Sequence, residues 1–444
     1  MQKMKKIFIE TYGCQMNFSD SEIVASILCA GGYEVTQDLA RADVIFLNTC
    51  SIREHAEKKI RNRLHALGPL KRKRPGLLIG LLGCMAERLK EELLEEEEVL
   101  DLVAGPDSYR QLPLMLDQAV SGIKGVNTLL SVEETYGDIS PVRYGTNGVS
   151  AFISIMRGCG NHCAYCVVPQ VRGRERSRDI HSIIKEATEL FESGYREITL
   201  LGQNVNSYRW DSGDGILRFP EALQKVARVN PRLRVRFATS HPKDLSDELI
   251  EAIAVNENLC RSVHLPVQSG SNAVLARMNR RYTREHYLER VEAIRRKISG
   301  CTVTTDIITG FCGETEEEHL ETLSLMEQAR FDAAFMFRYS ERPDTPAARK
   351  YPDDVPDGVK ERRLKEIIAL QHRLSLRSNR ADLNREFEVL IEGDSRRSAA
   401  HFSGRNSQNK MVVFPKNGQH PGEYVRVTIR NFTSATLIGE LLPA

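Results

Sequence analysis

Three cysteines within eight residues, in Arg157-Gly-Cys159-Gly-Asn-His-Cys163-Ala-Tyr-Cys166, constrain this chain more than any other feature of its sequence. They follow directly on an apolar run, 151–156, that reads as a β-strand, so the thiols sit on a short loop leaving a strand's carboxyl end. Such a Cys-x3-Cys-x2-Cys loop can grip three corners of an iron–sulfur cubane and leave the fourth iron open. A cluster that only relays electrons normally takes four cysteines, so an open iron implies a further ligand.

S-adenosylmethionine (SAM) can chelate that iron through its amino and carboxylate groups. An electron then cleaves the sulfonium and releases a 5′-deoxyadenosyl radical, chemistry that belongs to the cofactor. The alternatives are a zinc site or three thiols packed in a core. Zinc sites usually pair two Cys or Cys/His halves, and no second half lies nearby.

Cys14, Cys50 and Cys84 each stand just past an apolar run: 6–10, 43–48 and 77–82. Read as parallel strands of an open α/β sheet, these runs present their carboxyl ends on one edge, where such folds collect ligands. Singly each thiol reads as a small buried hydrophobe; the matched positions favour a second cluster. Cys29, Cys260, Cys301 and Cys312 show no such pattern and read as packing. Ile7, Phe8 and Ile9 run straight into Glu10, leaving no apolar signal segment, and no run approaches the roughly 20 apolar residues that span a bilayer. The expectation is a cytoplasmic chain, in a compartment where disulfides are rare.

The fold class expected is α/β in three parts. Residues 1–145 form an open parallel α/β domain whose first helix starts at Ser19. Residues 146–380 carry six strands (151–156, 197–202, 233–239, 261–267, 301–308, 332–338) of a partial (βα)6 barrel, and a basic amphipathic helix over 356–384 begins after a Pro-Asp-Asp-Val-Pro-Asp boundary. Residues 381–444 switch to period two, with runs at 386–392, 410–414, 423–430 and 435–442 that suggest a small antiparallel β-barrel.

The net charge is only +2, but it is unevenly spread. Residues 53–76 hold nine Lys or Arg against two Glu, and 359–385 hold eight against three acidic residues. Arg172, Arg174, Arg176 and Arg178 follow the triple-cysteine loop. One basic run is usually a solvated face; three shift the balance toward nucleic acid. The four arginines are placed to guide RNA toward the cluster, with one or two of them available to brace the loop instead.

Taken together, Glu-Thr-Tyr-Gly-Cys14-Gln-Met-Asn, Leu-Asn-Thr-Cys50-Ser-Ile-Arg, Gly-Cys84-Met-Ala-Glu-Arg, the triple-cysteine loop, Val-Arg-Gly-Arg-Glu-Arg-Ser-Arg178, Leu-Gly-Gln203-Asn204, Thr-Ser-His-Pro242, Val-His-Leu-Pro-Val-Gln268 and Gly-Arg405-Asn406 resemble the radical-SAM methylthiotransferases over essentially the whole chain. The resemblance implies a tRNA enzyme that converts N6-dimethylallyladenosine at position 37 to its 2-methylthio derivative. It implies two [4Fe–4S] clusters, an auxiliary one on Cys14, Cys50 and Cys84 carrying the sulfur and a radical-SAM one on Cys159, Cys163 and Cys166. It places SAM against Tyr165, Gln203, Asn204, Gln268 and Asp306, and RNA on a TRAM-like carboxyl-terminal barrel bearing Arg405. It further implies an external electron donor, a sulfur source, no membrane and a monomer. His264 carries no assigned role. Cys312 and Glu341 depart from the family's usual Phe-Pro-Gly-Glu and Tyr-Ser-Pro-Arg-Pro without touching an expected ligand. The competing substrates are threonylcarbamoyl-adenosine in tRNA and an aspartate of a ribosomal protein; the competing class is a zinc-bearing RNA-binding protein.

Overall fold

The computed structural model describes residues 4–51 and 54–442, which leaves Arg53, the start of the first basic stretch, outside the described residues. The chain divides into two compact units. One comprises 1–145, 154–162 and 166–182; the other comprises 146–153, 163–165 and 183–444.

The first unit is built on six strands: β1 (Lys5–Thr11), β2 (Tyr33–Val35), β3 (Val44–Thr49), β4 (Leu78–Gly83), β5 (Leu102–Ala104) and β6 (Gly125–Asn127). They lie in the order β2-β1-β3-β4-β5-β6, and every pair is parallel. Central β3 and β4 are buried along their whole length, as expected of parallel strands covered on both faces. Helices Gln15–Ala30 and Leu112–Val120 pack on one face around Phe46 and Tyr109, and Glu54–Lys73 and Cys84–Glu96 on the other around Ile45, Leu64 and Met85. The first helix starts at Gln15, not at Ser19: Cys14 is its N-cap, and Ser19 and Asp20 are buried within it. The Ser-Asp pair resembles a cap in sequence, yet Asp20 is spent on buried ion pairs.

In the helix that begins at Cys84, Glu87 turns its carboxyl inward against Gly105. Burial pushes its pKa up to about 8; Lys90 opposes the shift and Asp107 adds to it.

The second unit carries two three-stranded sheets. Strands β7 (Ser150–Ser154), β10 (Glu197–Leu201) and β13 (Arg234–Ala238) lie in the order β13-β10-β7; β14 (Ser262–His264), β15 (Thr302–Thr309) and β16 (Ala333–Arg338) follow in chain order. A parallel bridge from Val235 to Leu259 links the halves, giving the open six-stranded barrel that the sequence predicts. Two small pairs intervene: β8 (Met156–Arg157) with β9 (Arg176–Ser177) in the first unit, and the hairpin of β11 (Arg209–Asp211) with β12 (Ile216–Arg218). Helix Asp357–Arg380 is fixed to the turn after β15 by buried Arg363, which donates to the Glu314 carbonyl at 2.9 Å and carboxylate at 3.0 Å.

The carboxyl-terminal strands, β17 (Glu386–Ser395), β18 (Ser398–Asn406), β19 (Met411–Pro415), β20 (Tyr424–Phe432) and β21 (Thr436–Leu441), close a barrel around Phe402, Phe414 and Val427. One pair, β19 with β21, is parallel, where an all-antiparallel barrel was expected, and β18 is a strand that no period-two run announced. The turn 405–410 is held at the amino ends of the parallel strands. Arg234 donates to the Arg405 carbonyl at 2.7 Å and Arg236 to the Asn406 carbonyl at 2.7 Å, while Thr302 Oγ1 donates to the Gln408 carbonyl at 2.8 Å. Buried Glu197 pairs with Arg236 at 2.9 Å and anchors that guanidinium.

Breaking a buried ion pair by removing one partner costs about 3–5 kcal/mol. Arg236→Met is therefore expected to speed amide hydrogen exchange across 404–410; unchanged exchange there would contradict the anchoring. Glu87 supplies a pH dependence. Its folded pKa lies above the ordinary value of 4.5, so its contribution to stability is present below pH 4.5 and is lost as pH rises toward about 8. Glu87→Gln should flatten that fall in melting temperature, measured at steps across the same interval.

Candidate active site

Cys14, Cys50 and Cys84 follow the carboxyl ends of β1, β3 and β4, three adjacent strands of one sheet. Cys50 and Cys84 are buried and Cys14 is exposed. Gly13, at φ +118°, lies so close that a side chain there would run into Cys50 Cβ. Burial raises the Cys84 thiol, Arg172 opposes that shift and Cys14 adds to it, so these two sulfurs share one electrostatic neighbourhood.

Beneath the thiols lies a buried charge network. Arg157 Nη1 donates to Asp20 Oδ1 at 2.7 Å and Arg172 Nη2 to Asp20 Oδ2 at 2.8 Å, while Arg176 Nη2 pairs with Asp107 at 3.0 Å. Burial alone would raise the Asp20 pKa, but the two guanidiniums outweigh it and hold the carboxyl below its usual range. Three guanidiniums face two carboxylates, and Glu87, with its pKa near 8, is neutral at pH 7 and does not redress the balance. Of the three, Arg172 is the one that reaches a cysteine: Nε donates to Cys84 Sγ at 3.3 Å, and its Nη1, like Nε of Arg157 and of Arg176, is buried with no hydrogen-bond partner among the described residues. A buried unpaired N–H on a cation calls for an anion. Among the described residues no three His, Cys, Asp or Glu side chains are gathered tightly enough to hold a single metal ion. Thiolates on a cubane sit on separate irons and are set wider apart, so three cysteines beside an unfilled guanidinium fit an anionic iron–sulfur cluster.

These contacts correct the reading of the arginine run. Arg172, Arg176 and Arg178 are buried, the last donating to Ser182 Oγ at 2.9 Å, and buried side chains cannot grip phosphate. Arg174 alone of the four is exposed. Arg405 is half-exposed with Glu392 at 3.8 Å, while its backbone is occupied by Arg234.

Of the triple-cysteine loop, Cys159 and Cys166 are counted with the first unit and Cys163 with the second. Each sulfur already accepts a hydrogen bond: Cys159 from the Asn161 amide at 3.5 Å, Cys166 from the Val168 amide at 3.5 Å, and Cys163 from Arg280 Nη1 at 3.1 Å. Donors aimed at sulfur orient and tune a metal-bound ligand, which suits cluster ligation.

The rim of the second unit is polar and unsatisfied. Gln203 and Asn204 follow β10, Gln268 follows β14 at φ +72°, and Asp306 lies in β15 with His264 Nε2 at 3.5 Å. Asn204 Nδ2 donates to Asp244 at 2.7 Å, leaving its Oδ1 buried and unpaired, as is Gln203 Oε1. Sequence reasoning missed Asn206, Ser240 and His241. Both amide atoms of Asn206, the Ser240 hydroxyl and His241 Nε2 are buried without partners among the described residues. Burial, with Arg280 close by, lowers the His241 pKa to about 2; its Nδ1 accepts from the Lys243 amide, so neutral His241 presents an Nε2–H donor. Asn-Val-Asn and Thr-Ser-His at two successive strand ends were the available signal. Orphaned donors and acceptors at strand ends fit a ligand rich in amine, carboxylate and hydroxyl groups, as SAM is.

Three family models match: an uncharacterised protein family, UPF0004, over 6–105; the radical SAM superfamily over 153–326; and the TRAM domain over 380–442. Among solved structures, the radical S-adenosylmethionine methyltransferase TsrM of Kitasatospora setae aligns with a TM-score of 0.58 at 14% identity, covering 78% of this chain and 77% of that one. That likeness concerns the fold. Proteins named tRNA-2-methylthio-N(6)-dimethylallyladenosine synthase are 55% identical in Amoebophilus asiaticus, over 98% of this chain and 92% of that protein, and 56% identical in Chloroherpeton thalassium, over 98% and 96%. Sharing more than half of its residues with these synthases along almost its whole length, the chain belongs to the radical-SAM methylthiotransferase family, in the branch that they represent.

Proposed function

We infer that the protein converts N6-dimethylallyladenosine at tRNA position 37 to 2-methylthio-N6-dimethylallyladenosine, in the cytoplasm and as a monomer. The observation that supports this most strongly is the pairing of full-length likeness to the synthases with a cysteine trio set on one sheet edge beside the unfilled guanidinium of Arg172. C2 of the base has no acidic proton for a general base to take, so hydrogen must leave as an atom. Two [4Fe–4S] clusters and SAM, with an external electron donor and sulfur source, would supply the electron, the radical and the sulfur.

The chain's own residues hold and orient. Cys159, Cys163 and Cys166 would hold the radical-forming cluster, and Cys14, Cys50 and Cys84 the sulfur-bearing one, with Arg172 offering it an N–H. Tyr165, Gln203, Asn204, Gln268 and Asp306, joined by Asn206, Ser240 and His241, would take the polar atoms of SAM. Orientation of this kind is what confines a radical to one target atom.

The anticodon arm must splay its base out, at a cost of a few kcal/mol, and binding to phosphates must offset that. With three of the four loop arginines internal, the exposed cations left for phosphate include Arg174 and, at the β17–β18 turn, Arg396 and Arg397.

The test of function is nucleoside mass spectrometry of tRNA incubated anaerobically with the reconstituted enzyme, dithionite and SAM; formation of the 2-methylthio nucleoside is expected. The triple variant Cys14→Ala, Cys50→Ala, Cys84→Ala should still cleave SAM but form no product, whereas Cys159→Ala, Cys163→Ala, Cys166→Ala should do neither. A product formed by either triple variant would contradict the two-cluster division. Arg396→Ala with Arg397→Ala should lower the salt slope of tRNA binding by about two, roughly one for each phosphate that is no longer neutralised. An unchanged slope would remove that turn from the RNA surface.

A further inference from the structure

Arg280 is a buried cation with no carboxylate partner among the described residues. It is 4% exposed, and the groups that act on its charge most strongly are Tyr165, Tyr282 and Cys163. Nη1 donates to Cys163 Sγ at 3.1 Å and lies 3.5 Å from the Tyr165 hydroxyl; Nη2 donates to the Pro266 carbonyl at 2.9 Å, and Nε to the Tyr282 hydroxyl at 3.0 Å. The Tyr282 hydroxyl in turn donates a hydrogen bond to the Val267 carbonyl at 2.7 Å.

The backbone is shaped to aim this side chain. Asn279 and Arg281, on either side of it, adopt φ of +56° and +58°, a left-handed region that asparagine tolerates and that arginine seldom holds. One residue before Asn279, the Met278 carbonyl accepts the Ala164 amide at 2.9 Å. A single strap therefore holds the Cys163 loop and directs the guanidinium at its sulfur.

A guanidinium taken out of water without a counter-charge is costly. Phenols and carbonyls supply dipoles here, not charge, so the group this cation is built to meet is the sulfur of Cys163 together with the anionic cluster it would hold. A positive charge and an N–H donor beside a ligand sulfur, in a region of low dielectric, favour the state of a cluster that carries one more electron.

We propose that Arg280 is a positioning residue that raises the reduction potential of the cluster held by Cys159, Cys163 and Cys166, through the N–H and charge it presents to Cys163 Sγ. The step it assists is one-electron reduction by a low-potential donor, dithionite in the assay. One electron enters, no bond forms or breaks, and the guanidinium keeps its proton. The proposal rests on the cluster assignment of the triple-cysteine loop and goes beyond it.

The experiment is an anaerobic redox titration followed by electron paramagnetic resonance, in full-length protein whose Cys14, Cys50 and Cys84 are alanine. Iron analysis comes first. About four irons per chain establish the cluster on the remaining loop; their absence would sink the cluster assignment itself, and this proposal with it. In the iron-loaded protein, Arg280→Met is expected to lower the equilibrium constant for reduction at least tenfold, a midpoint shift of about 59 mV or more to negative potential. Arg280→Lys keeps the charge but loses the fork, and should shift the midpoint the same way by less. If Arg280→Met does not hold iron, the lysine variant decides. An unchanged midpoint in the iron-loaded variants would show that Arg280 only braces the loop, and would overturn the proposal.

Discussion

The ion pairs of Asp20 and Asp107 with Arg157, Arg172 and Arg176 are the interaction on which the amino-terminal unit depends. Asp20 comes from the first helix, Asp107 from the turn after β5, and the arginines from either side of the triple-cysteine loop. The pairs explain why residues 154–162 and 166–182 group with the amino-terminal sheet instead of with the barrel that follows them in sequence. Buried ion pairs seldom add net stability over a well-packed apolar core. Here their arrangement ties the loop segment to the cysteine-bearing edge and leaves one guanidinium in excess beside Cys84.

The same device recurs in the second unit for a different end. Glu197, Arg234 and Arg236 sit at the amino ends of the parallel strands and take up the carbonyls of the 405–407 turn, fixing the small barrel at the end of the sheet opposite the ligand rim. At the carboxyl ends the polar atoms of Gln203, Asn204, Asn206, Ser240 and His241 stay unpaired. Polar groups are satisfied at one end of these strands and held in reserve at the other, which is where open α/β folds do their chemistry.

What could be read from sequence followed how local the cause was. The strands bearing Cys14, Cys50 and Cys84 are marked by continuous apolar runs, and the six longer barrel strands by their spacing, so both were placed to within a few residues. The three-residue strands β2, β5 and β6 are too short for any periodicity. Strand β18 reads Ser-Ala-Ala-His-Phe-Ser-Gly-Arg-Asn and buries Phe402, Gly404 and Asn406 without a hydrophobic alternation. The arginine run after the cysteine loop misled because sequence displays charge and not burial. The carboxylates that draw Arg172 and Arg176 inward lie 152 and 69 residues away, distances that only the fold closes. His241 and Ser240 were visible in Thr-Ser-His-Pro, but nothing local distinguishes an orphaned polar atom from a satisfied one.

The central claim is that the excess guanidinium of Arg172 is completed by an anionic group on Cys14, Cys50 and Cys84. The direct measurement is the gain in melting temperature on anaerobic iron–sulfide reconstitution, compared between a parent with Cys159, Cys163 and Cys166 replaced by alanine and the same protein carrying Arg172→Met. A group that binds only the folded state stabilises it by mass action, and the gain reflects how strongly the folded protein holds it. Removing Arg172 leaves two guanidiniums against two carboxylates. The variant also loses the Arg172–Asp20 pair, so each protein's gain is read from its own melting temperature without bound iron, and the variant's gain on reconstitution should be clearly smaller than the parent's. Equal gains in the two proteins would contradict the account.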